Sequence, residues 1–324
     1  MTVLVTGSRG RVAATLLDLL DAAGIKARAG SKDPTDLSPP PGVETVHCDL
    51  TDPATFDTAL EGVDSVFLYA EAAHAGTFAD RARAAGVEHI ALLSSSSVLA
   101  PDAAENPIAA SHLAVERALS AAAASGAFET THLRPGAFAT NALQWAWALK
   151  DGHGPALPYP HAYGDPIHER DVAEAAFAVL TEPRLRGSSY HLTGPESLDF
   201  TEQLAIVAEV TGRPAPYTTV TPEDWKESVA AFMPEPFANA LLAYWASHDG
   251  RPTPLTRTIE TLTGHPARTF TTWTRDHAEA FAAPVVGNRS AGARGSPLLE
   301  RSRELGGGWA QRNGAPSGAR APRA

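Results

Sequence analysis

Near the amino terminus stands Thr6-Gly7-Ser8-Arg9-Gly10-Arg11-Val12-Ala13, a run of small and basic residues with the make-up of a phosphate-binding turn. The apolar run before it reads as a strand, and after it Val12, Leu16, Leu19 and Leu20 recur at helical spacing. In a Gly-x-x-Gly-x-x-Ala turn between a first strand and a first helix, each small residue has a task. Gly7 permits the tight turn, Gly10 lets the backbone approach a pyrophosphate, and Ala13 lets helix pack closely on strand. The phosphates then meet free amides and the positive end of the helix. This predicts a dinucleotide site that uses Gly7, Ser8, Arg9, Gly10, Arg11 and Val12. Proteins of this type that prefer NAD place an acidic residue at the end of the second strand, about 20 residues on. Here the segment reads Arg28-Ala29-Gly30-Ser31-Lys32. Arg9, Lys32 and a hydroxyl are thus available to a ribose 2′-phosphate, which points to NADPH, while Asp33 beside Lys32 works against it.

The elements that must hold this turn alternate short apolar runs with longer helical ones, the βαβ pattern of a parallel sheet. Strands are expected at Thr2 to Thr6, Ile25 to Ala29, Glu44 to Asp49, Ser65 to Tyr69, Ile90 to Leu93, Thr130 to Leu133 and Tyr190 to Leu192. Helices are expected at about Gly10 to Ala23, at Asp52 to Leu60, ending near Ala85 before Gly86, and at Ile108 to Ser125. After Gly136 come a Trp-bearing helix at Asn141 to Leu149, a Pro/Gly/His loop to Pro166 and a helix at Arg170 to Leu180. The remainder is mostly helical: Thr201 to Thr211, Pro222 to Ala231, Pro236 to Ser247, Pro254 to Thr263 and Thr271 to Ala282, several opened by proline. The fold class read from this is α/β, a Rossmann-type doubly wound parallel sheet with a smaller, mainly helical substrate-binding lobe above the sheet's carboxyl edge. The expected domains are 1–150, with the sheet completed by about 165–193, then the helical lobe at 195–283 and a disordered basic tail at 284–324. Seven arginines and two glutamates fall in that tail.

A formal net charge of −11 argues against nucleic-acid and anionic-membrane partners, leaving a small molecule as the expected one. The single cysteine, Cys48, excludes an internal disulfide framework and a cysteine-rich zinc site and reads as a buried residue of the third strand. No two histidines have tight ligand spacing together with a carboxylate partner, so no metal is expected. The lack of a leader-like start or a run of about 18 apolar residues predicts a cytoplasmic protein.

Further motifs follow in order: Cys48-Asp49-Leu50-Thr51-Asp52, Ala84-Ala85-Gly86-Val87-Glu88-His89, Leu133-Arg134-Pro135-Gly136-Ala137-Phe138, Pro166-Ile167-His168-Glu169-Arg170-Asp171-Val172-Ala173 and Leu192-Thr193-Gly194-Pro195. With the glycine turn they make the chain, over about residues 2 to 282, resemble the NmrA-like branch of the atypical short-chain dehydrogenase/reductases. The resemblance implies that Asp49 and Leu50 border the adenine, that Tyr69, Ala70 and Ser94 line the cofactor cleft, and that Pro135, Gly136 and Phe138 flank the nicotinamide. Many relatives in the wider family carry a Tyr and a Lys four residues apart on the helix after strand five, where the lysine and the nicotinamide ribose lower the tyrosine pKa. The corresponding stretch here is Ala110-Ser111-His112-Leu113-Ala114-Val115-Glu116, without either residue. His112 and Glu116 share a helical face, so His112 is one candidate acid, oriented and raised in pKa by Glu116; the alternative is a helix without a catalytic role. Ser95 or Ser96, where the family keeps its carbonyl-binding serine, is the other candidate.

Three activities fit these residues: an NADPH-dependent reductase of a bulky carbonyl or quinone, with an aromatic polyketide ketone favoured; a redox-sensing regulator that binds NADP(H); and a redox-neutral isomerase or cyclase. His153, His161, His168, Trp145, Trp147, Tyr159 and Tyr163 are expected to shape an aromatic-lined pocket. Trp225, Trp245 and Trp273 are expected in the core of the helical lobe.

Overall fold

A computed structural model describes residues 1–124 and 126–282. The elements are β1 (Thr2–Val5), α1 (Arg11–Ala22), β2 (Lys26–Ser31), β3 (Glu44–His47), α2 (Phe56–Leu60), β4 (Ser65–Tyr69), α3 (Ala75–Ala84), β5 (His89–Leu93), α4 (Pro107–Ala123) and β6 (Glu129–Pro135). They continue with α5 (Ala146–Lys150), α6 (Glu169–Thr181), β7 (Ser189–Leu192), α7 (Phe200–Thr211), α8 (Pro222–Val229), α9 (Glu235–His248), α10 (Thr258–Thr263), α11 (Phe270–Asp276) and α12 (Ala278–Phe281). Seven strands form one sheet in the order β3-β2-β1-β4-β5-β6-β7, every pair parallel. This is the doubly wound α/β architecture expected from the alternating pattern, with the order reversing between β1 and β4.

Both faces of the sheet are buried because side chains alternate along each strand. Val3, Val5, Ala27, Ala29, Phe67, Ala91, Leu93 and Leu133 pack with α1 and α6. Leu4, Val66, Leu68, Ile90 and Leu92 point the other way, toward α2, α3 and α4. Cys48 follows β3 directly, buried, its amide donating to Ser31 O (2.9 Å). Burial, with the Asp49 charge beside it, pushes its thiol up to about 12.

Two compact units emerge. The first comprises Met1–Asn141, Gly164–Leu198 and Thr253–Trp273; the second comprises Ala142–Tyr163, Asp199–Pro252 and the described residues from Thr274. Thr253–Trp273, read from sequence as part of the helical lobe, therefore belongs with the sheet. Arg268 explains part of this. Its guanidinium grips Asp171 and Glu174 of α6, at 2.8 and 2.9 Å to Glu174, and its amide donates to Asp171 (2.7 Å). Asp171, Glu174 and His265 bring ligand atoms within 4.8 Å of one another, and Arg268 supplies the positive charge there. Trp273, expected in the lobe, is fully buried in the first unit with its indole N–H on Glu169 (3.0 Å).

Some boundaries differ from expectation. β2 extends to Ser31 because Gly30 and Ser31 continue the ladder against Val46 and His47. The helix expected from Pro254 begins at Thr258, since Thr253 N donates to Ser197 Oγ (2.8 Å) and Thr256 bonds Thr193 and His191, pinning this stretch to the β7 end. The Trp-bearing helix is a 3₁₀ stretch, Ala139–Trp145, followed by α5. The last helix breaks at His277 (φ −115°, ψ 15°) into α11 and α12. The basic tail lies outside the described residues. Among the described residues no helix is long and apolar enough to cross a membrane.

Candidate active site

Gly7 adopts φ +62°, and a β-carbon there would stand 3.1 Å from Tyr69 Cβ, so both backbone and space demand glycine. Gly10 N donates to Gly7 O (2.8 Å), closing the turn, and Gly10 enters α1 in extended conformation. No side chain caps α1, and Ala14 N to Gly10 O (2.9 Å) is its first backbone bond. The amides of Arg11, Val12 and Ala13 are thus open at the positive end of a 12-residue helix, which fits a pyrophosphate. Ser8 departs from the expectation that it faces a ligand. It is buried, its hydroxyl donates to Val5 O (2.7 Å) and its amide to Gly30 O (3.2 Å), so it braces the turn.

At the β2–β3 end, Arg9 and Lys32 reach carboxylates. Arg9 Nη2 lies 2.9 Å from Asp36 Oδ2 and 3.8 Å from Asp33, and Lys32 Nζ lies 3.3 Å from Asp49. Asp36, not singled out from sequence, borders with Ser8, Arg9 and Leu37 a cavity of about 280 Å³. Burial raises the Asp49 carboxyl, but hydrogen bonds from Thr51 and the Lys32 ammonium outweigh it and hold the group below the usual carboxylate range. Leu50 follows, partly buried. Tyr69 ends β4 beside the glycine turn, and the buried Ala70 follows it.

At the β5–β6 end the polar groups are buried together. Ser94 Oγ donates to Glu116 Oε1 (2.6 Å), and Arg134 grips the same carboxylate with Nε (2.9 Å) and Nη2 (2.6 Å). His132 Nδ1 stands 3.6 Å from Glu116 Oε2. Burial raises the Glu116 carboxyl, yet Arg134 and Ser94 prevail and hold it below its ordinary value. Glu116 therefore serves Arg134 and Ser94 and makes no hydrogen bond to His112. His112 Nδ1 is buried without a partner. Burial pulls the imidazole down to about 4, against the opposing pull of Glu116. The expectation of a raised pKa is corrected accordingly: desolvation exceeds the attraction of a carboxylate already neutralised by a guanidinium.

The serines differ in what their protons do. Ser94 spends its proton on Glu116 and can only accept from a ligand. Ser95 Oγ accepts from Ser97 N (3.2 Å) and Ser97 Oγ (2.9 Å), which leaves its own O–H to donate elsewhere. Ser96 is partly buried in the short 3₁₀ turn that Ser95 caps.

Beyond β6, four bonds fix the next residues. Gly136 N donates to Leu192 O (2.9 Å), Ala137 N to Asp165 Oδ1 (2.8 Å), Ala139 N to Ile167 O (2.9 Å) and Ile167 N to Ala137 O (2.8 Å). Phe138 pairs with Ile167 as an isolated bridge. Pro135, Gly136 and Phe138 are thus held by segments distant in sequence. Arg134 and Asp165 were not assigned roles from sequence; the one available signal was a glycine, Gly136, at a strand end.

The histidines and aromatics expected to share one pocket fall in both units. His168, in the first, is buried and caps α6 by accepting from Arg170 N (3.1 Å). In the second, His161 Nδ1 meets Asp199 (2.9 Å), and His153 Nδ1 meets Asp151 O (2.8 Å). Trp145 stacks edge-on with Phe200, which meets Trp245, which meets Trp225, at centroid distances of 5.7, 5.7 and 4.9 Å. Trp147 is exposed.

Comparisons with known proteins agree with this frame. The NmrA-like family model matches residues 1–260. The chain is 34% identical over 285 residues to (4-alkanoyl-5-oxo-2,5-dihydrofuran-3-yl)methyl phosphate reductase of Streptomyces griseus, covering 86% of this chain and 99% of that protein. It is 30% identical over 292 residues to the NAD(P)H azoreductase of Xenophilus azovorans, covering 87% and 99%. Its fold superposes on an NADPH-dependent quinone oxidoreductase from Escherichia coli with TM-score 0.71 at 23% identity, over 86% of this chain and 99% of that one. A family match over most of the length, joined to the glycine turn and the sheet order, establishes that this chain belongs to the NmrA-like family.

Proposed function

We propose that the chain is an NADPH-dependent reductase of a bulky carbonyl or quinone, with aromatic polyketide ketones the favoured substrates. Its kinship with a reductase and an azoreductase supports the redox class. The observation that carries the chemistry is the free proton of Ser95, whose oxygen already accepts two hydrogen bonds. Accepting bonds polarises a hydroxyl, so Ser95 is a stronger donor to an oxygen on which negative charge develops. When bound, NADPH supplies the hydride that reduces the acceptor. The open amides of α1 take the pyrophosphate, and Arg9 and Lys32 exchange Asp36 and Asp49 for a 2′-phosphate. Neutral at pH 7, His112 is no source of an imidazolium proton; Ser95 donates a hydrogen bond to the oxygen on which charge develops, and water supplies the proton that this oxygen takes up after hydride transfer.

The test is NADPH oxidation by the purified protein with a panel of quinones and aromatic ketones, alongside fluorescence titration of NADPH. Turnover is expected, and Ser95→Ala should lower kcat on the order of 100-fold with NADPH affinity kept. Tight NADPH binding with no acceptor reduced would replace this reading with a regulatory NADP(H)-binding protein.

A further inference from the structure

We propose that Asp165 is a positioning residue for the nicotinamide half of the cofactor, acting through the Gly136–Phe138 segment; this rests on the cofactor reading above. The sheet order places β2 to one side of the glycine turn and β4, β5 and β6 to the other. A dinucleotide with its pyrophosphate on α1 and its adenosine phosphate at Arg9 and Lys32 extends its other half over the carboxyl ends of β4 to β6. That half meets the backbone leaving β6, and Asp165 determines where this backbone lies.

Three observations converge on this carboxylate. Asp165 is buried at 4% exposure, in a place where a charged side chain is retained only with partners. Its Oδ1 accepts the Ala137 amide at 2.8 Å. A β-carbon on Gly136 would overlap the same carboxyl group. Residue 136 is thus glycine because Asp165 occupies the space beside it, and the peptide is drawn toward Asp165. The aspartate's own backbone is fixed as well, since Gly194 N donates to Asp165 O (3.1 Å) and Ile167 pairs with Ala137 and Ala139 on either side. Through its carboxylate Asp165 holds the β6 end and through its backbone carbonyl the β7 end, three residues before the His168 cap of α6, all within the first unit.

The experiment compares two ligands on wild type, Asp165→Asn, Asp165→Ala, Gly136→Ala and the Gly136→Ala/Asp165→Ala double variant. NADPH spans both halves of the site, whereas adenosine 2′,5′-bisphosphate occupies the adenosine half alone. Asp165→Ala should weaken NADPH about tenfold, the equivalent of about 1.4 kcal/mol, and leave the bisphosphate within twofold. Asp165→Asn keeps an oxygen for Ala137 N–H and should recover most of the loss. Gly136→Ala should resemble Asp165→Ala, and the double variant should lose no more than Gly136→Ala, because removing the carboxylate makes room for the added methyl. Hydrogen exchange at Ala137 and Ala139 should speed up in Asp165→Ala without NADPH present. Equal loss of both ligands, or no change in either with unchanged exchange, overturns the proposal while the cofactor reading stands. Failure of wild type to bind either ligand overturns both.

Discussion

At the β2–β3 end of the sheet edge, Arg9 and Lys32 are held by Asp36 and Asp49 through basic side chains 50% and 70% exposed. At the β5–β6 end, Arg134 holds a Glu116 side chain that is 5% exposed, in a two-pronged grip shared with Ser94. The same chemistry, cation on carboxylate, has opposite consequences. An exposed pair is worth about 0–1 kcal/mol, so a phosphate can displace the carboxylate at little cost. A buried pair cannot be exchanged without leaving one charge uncompensated, at about 3–5 kcal/mol. The first end is suited to capturing an anion and the second to holding atoms still.

Glu116→Ala is the strongest test of that contrast. It strands the Arg134 guanidinium and should lower stability by about 3–5 kcal/mol in urea denaturation. A loss under about 1 kcal/mol would mean that the buried end behaves like the exposed one. The Glu116 carboxyl is held low in the fold, so its contribution is complete above the carboxylate pKa of the unfolded chain and is lost as pH falls through the folded value.

Histidine sharpens the comparison with the opposite ionisation. His112 has its pKa lowered from 6.5 to about 4 by burial, so between these values the unfolded chain binds the proton and the native one does not. Stability should therefore fall as pH drops from about 6.5 toward 4, by at most about 1.4 kcal/mol per pH unit for a fully coupled group. His112→Gln should make that slope shallower in a pH series of melting curves, leaving the share of His89, His132 and His191, which burial also pulls down, with no change of slope expected above pH 7.

The exposed end calls for smaller effects. Arg9→Ala should weaken NADPH about tenfold and leave NADH nearly unchanged, while Asp36→Asn, by releasing Arg9, should tighten NADPH about twofold with stability altered by less than about 0.5 kcal/mol. Isothermal titration of both cofactors measures the three affinities, and urea denaturation the stability. Equal shifts for NADPH and NADH would remove Arg9 from the 2′-phosphate site.

The contrast also explains what could be read from sequence. The glycine turn was legible because it is local: a strand, a turn and a helix in succession, with glycine where φ is positive. The parallel, doubly wound architecture followed from βαβ alternation for the same reason. The buried end was misread because its partners are 18 to 28 residues apart, Arg134 with Glu116 and Ala137 with Asp165, and helical spacing alone suggested that Glu116 serves His112. Spacing gives the face of a helix; it does not say which neighbour claims the charge. In the same way Thr253–Trp273 looked like one more helical segment until Arg268 and Trp273 tied it to α6.

Cys48 adds a chemical consequence. It is the chain's single cysteine, and with its thiol pushed up to about 12 almost none of it is thiolate at neutral pH. Thiolate is the form that adds to electrophiles and exchanges with disulfides. Among the described residues the cysteine is also buried. The quinones proposed above as acceptors are conjugate acceptors that arylate exposed thiols, and this fold keeps its single cysteine buried and protonated.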